Sequence, residues 1–229
     1  MAGQIGTPPI VTEGLVFAVD AANTKSYPGS GTTVYSLVNS ISGSLTNGTT
    51  FSSDNGGIFN FDGVDDRIEN FSENIQPSVI TIEFWKKWTT VSDDWLLNNQ
   101  TSNVADTKFG YQTRIDSPSY NFIVRFGIGT SNRSIVYTPI VLNQWAHVIA
   151  TYDPVSEGAK LYWNGQLEGT NNGTGAIDYT GVEGLGIGGA NDGTRDTPGP
   201  VGPIRIYNRV LTAEEVLQNY NALKGRFNL

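Results

Sequence analysis

QWAHVIATYD (residues 144–153), followed by KLYWNGQL (160–167) and IRIYNRVLTAEEV (204–216), decides the fold. Val148, Ala150 and Tyr152 alternate with Ile149 and Thr151, the period of a β-strand. Leu161 and Trp163 run into Asn164-Gly165. That pair is a strong hairpin signal, because a type I′ turn needs positive φ at both central residues. Ile204 and Ile206 alternate again. Thr212 and Glu215 then form a capping box, in which each side chain bonds the other's backbone amide. The spacing predicts a short terminal helix over about residues 213–222, with Val216, Leu217, Tyr220 and Leu223 turned inward.

Working outward, further strands follow by the same alternation. LVFAV (15–19) is a buried strand and IFNF (58–61) alternates into FDGVDDRI (61–68). ITIEFW (80–85) places Ile80, Ile82 and Phe84 on one face and Thr81, Glu83 and Trp85 on the other. Strands are also expected at 96–97, 108–115, 120–128, 134–137 and 185–187, with a turn at Ser117-Pro118. Residues 34–38 read as a short strand or an irregular segment, and 40–57 as turn-rich. The organisation predicted is an extended arm over residues 1–13 and one all-β domain over 14–229. Its architecture is an antiparallel jelly-roll β-sandwich with a short C-terminal helix. The arm reads as a frayed terminus or as a tether for a neighbouring subunit.

These motifs resemble the laminin-G-like, concanavalin A-like jelly rolls over about residues 13–223. Trp145, His147, Val148, Thr151, Tyr152, Asp153, Tyr162, Asn164 and Gly165 fit the family's strand and hairpin. Gly199, Val201, Ile204, Arg205, Ile206, Tyr207, Asn208, Arg209, Leu211 and Glu215 fit its terminal pattern. FDGVDDRI and ITIEFW fit two upstream motifs. Where the family often carries W-x-D-L, this chain has Val34 and Ser36. The phrases DAANTKSY (20–27), GSGTT (29–33) and QNYNALKGRF (218–227) also resemble laminin-G-like proteins of tailed-phage virions.

Composition narrows the partners. The chain has 229 residues and a net charge of −8 from only 16% charged residues. That disfavours nucleic acid, whose binding needs a basic stripe. Twenty-seven Gly and ten Pro suit many short strands and turns, and there is no cysteine for disulfide or thiol chemistry. The first residues lack a basic and an apolar region, so no secretory signal is expected. No apolar run approaches the ~20 residues that span a bilayer, so no membrane insertion is expected.

Catalysis is poorly supported. The resemblance implies that glucan-cleaving relatives carry E-x-D-x-E on one strand, with carboxylates about 5 Å apart. This chain has no such triplet: Glu83 is alone, Asp65-Asp66 and Asp93-Asp94 are adjacent pairs, and Glu214-Glu215 open a helix. His147, the single histidine, reads as a structural hydrogen bonder. Calcium is the cofactor expected, since it takes six to eight oxygen ligands from bent acidic loops. One candidate set is Asp106, Asn191, Asp192 and Asp196, which the resemblance to pentraxin-type jelly rolls brings together. The other is Asp62, Asp65 and Asp66, joined by the loop of Asp20. Both are also ordinary turn chemistry.

The resemblance implies glycan binding most often. Trp88 and Trp95, flanking a polar run, are the aromatic rings expected at the surface for sugar stacking, ahead of Tyr111 and Tyr120. The function expected is a non-enzymatic virion surface protein, a capsid decoration or a tail or fibre component. It would bind glycans or neighbouring virion proteins, homo-oligomerise in the particle, and become extracellular as part of it. The alternatives are a glycan-acting enzyme, a cell-surface carbohydrate-binding module and a purely structural cement.

Overall fold

The computed structural model describes residues 8–72, 75–99, 109–137, 140–182, 184–189 and 195–229. Among these described residues sixteen strands occur in chain order: β1 Leu15–Val19, β2 Thr33–Tyr35, β3 Ser42–Thr46, β4 Thr50–Ser52, β5 Ile58–Asp62, β6 Arg67–Glu69, β7 Ile80–Lys87 and β8 Asp94–Asn98. Then come β9 Tyr111–Asp116, β10 Asn121–Gly127, β11 Asn132–Tyr137, β12 Trp145–Asp153, β13 Gly158–Trp163, β14 Gln166–Asn171, β15 Gly186–Ile187 and β16 Pro198–Tyr207, before helix α1 Ala213–Leu223.

They build two antiparallel eight-stranded sheets. Sheet I runs β14-β13-β12-β7-β16-β5-β4, with β1 added to β16; sheet II runs β11-β10-β9-β8-β15-β6-β3-β2. The sandwich expected from alternation is the one observed. Phe17, Ile82, Phe84, Val148, Leu161 and Ile206 of sheet I meet Ile68, Leu97, Tyr111, Phe122, Val124 and Ile187 of sheet II in one buried core. The hairpin turn at Asn164 and Gly165 has φ of 50° and 81°, the left-handed pair that a two-residue loop demands.

Two expectations are corrected. Residues 40–57 hold β3 and β4 rather than turns alone. β3 reads SGSLT, too polar to announce itself; the Phe71 ring lies over Gly43 and supplies the cover that β3 lacks. In α1 the capping box of Thr212 and Glu215 is present, Val216 is buried and Tyr220 and Leu223 pack half-buried against the cluster of Trp85 and Phe227 as expected, but Leu217 is exposed and Asn219 takes a buried position.

Helix α1 closes the outer face of sheet I through a polar network. Glu83 Oε1 accepts from Arg205 Nη1 at 2.7 Å and sits 3.1 Å from His147 Nε2. Its other oxygen accepts from Asn219 Nδ2 at 2.7 Å and from the Tyr207 hydroxyl at 3.2 Å. Asn219 also accepts from Val11 N, while Tyr207 donates to Val11 O, so residues 8–13 are laid against their own domain. The ion pair to Arg205 and the hydrogen bonds outweigh desolvation and hold the Glu83 carboxyl at about 2. His147 therefore takes the structural role expected of it.

Candidate functional site

The outer face of sheet II carries a different arrangement. In β9 the core takes Tyr111 and Ile115, so alternation turns Gln112, Arg114 and Asp116 outward. Register sets Trp95 opposite Arg114 and Asn98 opposite Gln112. On β10, Arg125 faces Gln112 and Asn121 faces Asp116. Trp95, Asn98, Gln112, Arg114 and Arg125 thus share one face across three neighbouring strands.

Asn98 and Gln112 are fully buried. Yet Trp95 Nε1, both amide atoms of Asn98, both of Gln112, and Arg114 Nε have no hydrogen-bond partner among the described residues. Native structures rarely leave buried polar groups unpaired. Each such group costs about 1–3 kcal/mol. Six such atoms lie at outward positions of the neighbouring strands β8 and β9. Exposure grows along the face from zero at Asn98 and Gln112 to 12% at the Arg114 side chain, 24% at Asp116 and 36% at Arg195.

Guanidinium groups surround it. Asp116 Oδ2 accepts from both Arg114 Nη2 and Arg125 Nη2, at 2.5 and 3.3 Å. Arg195 lies 5.1 Å from the centroid of the Trp95 ring and Arg114 5.9 Å. The segment carrying Arg195 is anchored beside β8, where Trp95 N donates to Arg195 O.

The two tryptophans expected to be exposed are buried, and that expectation is corrected. Trp88 is 1% exposed: it stacks on Trp163 with ring centroids 5.4 Å apart and meets Phe122 edge-on. It continues the inward series Ile80, Ile82, Phe84, Lys86 and so belongs to the core. Trp95 is 5% exposed and flanked by the two guanidiniums. It brings an N–H donor to the outer face rather than a bare ring. Tyr111 is likewise buried, whereas Tyr120 is exposed.

Of the first calcium set, Asp106, Asn191 and Asp192 lie outside the described residues. Asp196 is committed elsewhere: its Oδ1 takes two hydrogen bonds from Arg67, at 2.8 and 2.5 Å, in a pair almost closed to solvent. The second set does come together, one carboxylate oxygen from each of Asp62, Asp65 and Asp66 lying within 4.8 Å of the others. Much of that cluster is turn chemistry. Asp62 Oδ1 accepts from Val64 N and Asp65 N, and Asp66 Oδ2 accepts from Asp62 N. The Val64 amide bond holds the Asp62 carboxyl below its usual range, while burial pushes that of Asp66 up. Asp20, expected to join them, pairs with Arg226 at 2.9 Å.

Sequence reasoning passed over Asn98 and Gln112. Outward polar residues on a strand are the ordinary sign of a solvated face, and only their burial makes them unusual. Two other clefts, of about 590 and 450 Å³, flank sheet I. The first is lined by Ile10, Leu15, Val19 and Leu37 with Arg205, whose charge already meets Glu83. The second gathers Lys87, Asn143 and Asn228 around Trp145.

Residues 62–217 match the family model of the concanavalin A-like lectin/glucanases superfamily. No curated protein sequence matches the chain. Among solved structures, the receptor-binding domain of botulinum neurotoxin mosaic serotype C/D superposes with a TM-score of 0.71 at 14% identity, covering 91% of this chain and 50% of that one. The binding domain of botulinum neurotoxin DC in complex with SialylT gives 0.70 at 11% identity, covering 93% and 52%. A botulinum neurotoxin type C structure, whose cell entry depends on interaction with two ganglioside molecules, gives 0.68 at 14%, covering 92% and 51%. The chain spans about half the length of these structures, and at such identities the likeness concerns the fold.

Proposed function

The chain belongs to the concanavalin A-like lectin/glucanase superfamily, and from that premise we propose that it is a non-catalytic lectin-like domain binding a surface glycan on the outer face of sheet II. The observation that carries this is the row of buried polar atoms on Trp95, Asn98, Gln112 and Arg114 that have no partner among the described residues. Sugars present dense hydroxyl donors and acceptors, and amide and guanidinium groups are suited to receive them. A binding site that keeps polar groups unpaired in the free state is stabilised when its ligand pairs them. Neighbours whose own ligands are gangliosides or sialylated sugars fit this reading.

A glycan array with purified protein tests it. The expected result is binding to a defined set of saccharides that Gln112→Ala removes while the melting temperature is kept. Absence of any hit at high protein concentration would leave a structural cement as the better account. The enzyme alternative is disfavoured by Glu83, whose carboxylate is fully buried under α1 and bonded to four protein groups. Hydrolysis of a polysaccharide panel by purified protein would reinstate it.

The setting we read for the domain is the surface of a tailed-phage particle, alongside other virion proteins and as a symmetric homo-oligomer. The sequence phrases at 20–33 and 218–227 support that setting. Co-purification with assembled particles is the measurement that bears on it.

A further inference from the structure

We infer that the outer face of sheet I carries a second saccharide subsite, in the cleft of about 450 Å³ where residues 227–229 meet the end of β7 and the start of β12. It lies across the sandwich from Gln112 and is independent of the reading of sheet II. Its position follows from alternation. Ala146 and Val148 enter the core, so Trp145 turns outward, and register sets it opposite Lys87. Lys87 Nζ lies 5.7 Å from the centroid of the Trp145 ring, and the Phe227 ring packs on the same indole with centroids 4.5 Å apart. The surrounding backbone is tied down. Asn55 donates from Nδ2 to Arg226 O at 2.8 Å, and Arg226 is itself held by Asp20 at 2.9 Å and by Gly57 O at 2.6 Å. Asn143 N donates to Trp88 O at 2.8 Å, and the Asn228 N–H closes onto Lys224 O.

The lining selects the ligand. Four amides surround the cleft, from Asn55, Asn143, Gln144 and Asn228, together with the Lys87 ammonium; no side-chain carboxylate of the described residues lines it. A side-chain amide offers both acceptor and donors, so the set answers hydroxyls in either sense. The aromatic floor is narrow, since Trp145 is 7% exposed and Phe227 2%. That is too little ring face to stack a nucleobase or an aromatic side chain, whose binding depends on such a face. A sugar ring needs only a strip of apolar surface under its C–H bonds while its hydroxyls take the amides. The volume falls in the usual range of small-ligand sites. Asn143, Gln144 and Asn228 are exposed and lose rotamer freedom when they bind. The subsite is therefore weak, a contact seen by titration in solution and lost on a washed array.

Titration of isotope-labelled protein with glucose, galactose, N-acetylglucosamine and their disaccharides, followed by NMR of the indole and side-chain amide signals, tests this. The expected result is that one of these sugars moves the Trp145 indole signal and the Asn143, Gln144 and Asn228 amide signals together and saturably. Asn143 and Asn228 have φ of 61° and 59°, so Asn143→Gly with Asn228→Gly keeps both backbone turns while removing two amides. Binding at the cleft should weaken at least about tenfold in that double variant. If it does not fold, Gln144→Ala at an exposed position carries the same test, with a loss of about threefold. In Gln112→Ala the cleft signals should still move while those of sheet II do not. Cleft signals that stay still, or that stop moving in Gln112→Ala, overturn the inference; movement at Trp95 and Gln112 in the wild type then leaves the reading of sheet II standing. Movement at the cleft alone keeps this subsite and overturns that reading. No movement anywhere overturns both.

Discussion

The outer faces of the two sheets bury polar side chains in opposite ways. On sheet I, Glu83, Arg205, Tyr207 and Asn219 answer one another under α1, and among the described residues only Trp85 Nε1 and His147 Nδ1 are left over. On sheet II, Asn98 and Gln112 are as deeply buried, and neither amide has a partner among the described residues. The first face behaves as an extension of the core, fastening a helix and residues 8–13 to the sandwich. The second keeps its hydrogen-bonding capacity unused, at a cost in stability.

The comparison breaks most readily at Glu83. Glu83→Gln leaves the Arg205 guanidinium buried without its charge partner, and breaking a buried pair from one side costs about 3–5 kcal/mol. At about 2–4 °C per kcal/mol for a chain of this size, the melting temperature should fall by about 10 °C, with glycan affinity unchanged in the folded protein. A variant as stable as the wild type would mean that sheet I is no better satisfied than sheet II.

The next effect is its pH dependence. The Glu83 carboxyl is lowered from 4.5 to about 2. Its stabilisation is therefore complete above 4.5 and lost as the pH falls through 2. A shift of that size corresponds to about 3 kcal/mol. Melting curves between pH 5 and 2 should show wild type and Glu83→Gln converging as the acid end is approached. Parallel curves would remove Glu83 from the account of acid stability.

On sheet II the sign reverses. Gln112→Met keeps the shape and removes two unpaired buried atoms. Replacing unsatisfied polar groups by apolar ones of similar shape is neutral or stabilising, here by about 1 kcal/mol. The variant should melt a few degrees higher and lose saccharide binding. A lower melting temperature would show that Gln112 already has its partners in the free protein, and the contrast between the faces would disappear.

Why the sandwich was legible and the site was not follows from the same residues. Alternation placed β7, β12, β13 and β16 because each buries one face on a core of β-branched and aromatic side chains. The inward series of β7 includes Lys86, whose ammonium donates to Pro198 O and Gly199 O. That lysine interrupts the apolar pattern and hides that Trp88, two residues on, is also inward. At β8 a register irregularity between Trp95 and Leu97 brings Leu96 as well as Leu97 into the core, so simple alternation fails there. The band on sheet II depends on burial of outward residues, a property of the assembled sheets that Asn98 and Gln112 do not carry in their own neighbourhoods.

The smallest expected effect lies at the corner where β5 of sheet I passes to β6 of sheet II. There Asp66 Oδ1 is buried without a partner among the described residues, and burial and the charges of Asp62, Asp65 and Asp196 raise its carboxyl. A raised carboxylate works against the fold once ionised: its contribution is lost as the pH climbs from 3.8 upward. Asp66→Asn removes that charge and keeps an oxygen for the Asp62 amide. In chelator at neutral pH it should melt slightly higher than the wild type, by under about 1 kcal/mol or about 2–4 °C. Millimolar calcium puts the expected cation to the same pair of proteins. A cation on Asp62, Asp65 and Asp66 stabilises only the folded wild type and reverses their order. An order that stays the same leaves the three acids as turn chemistry.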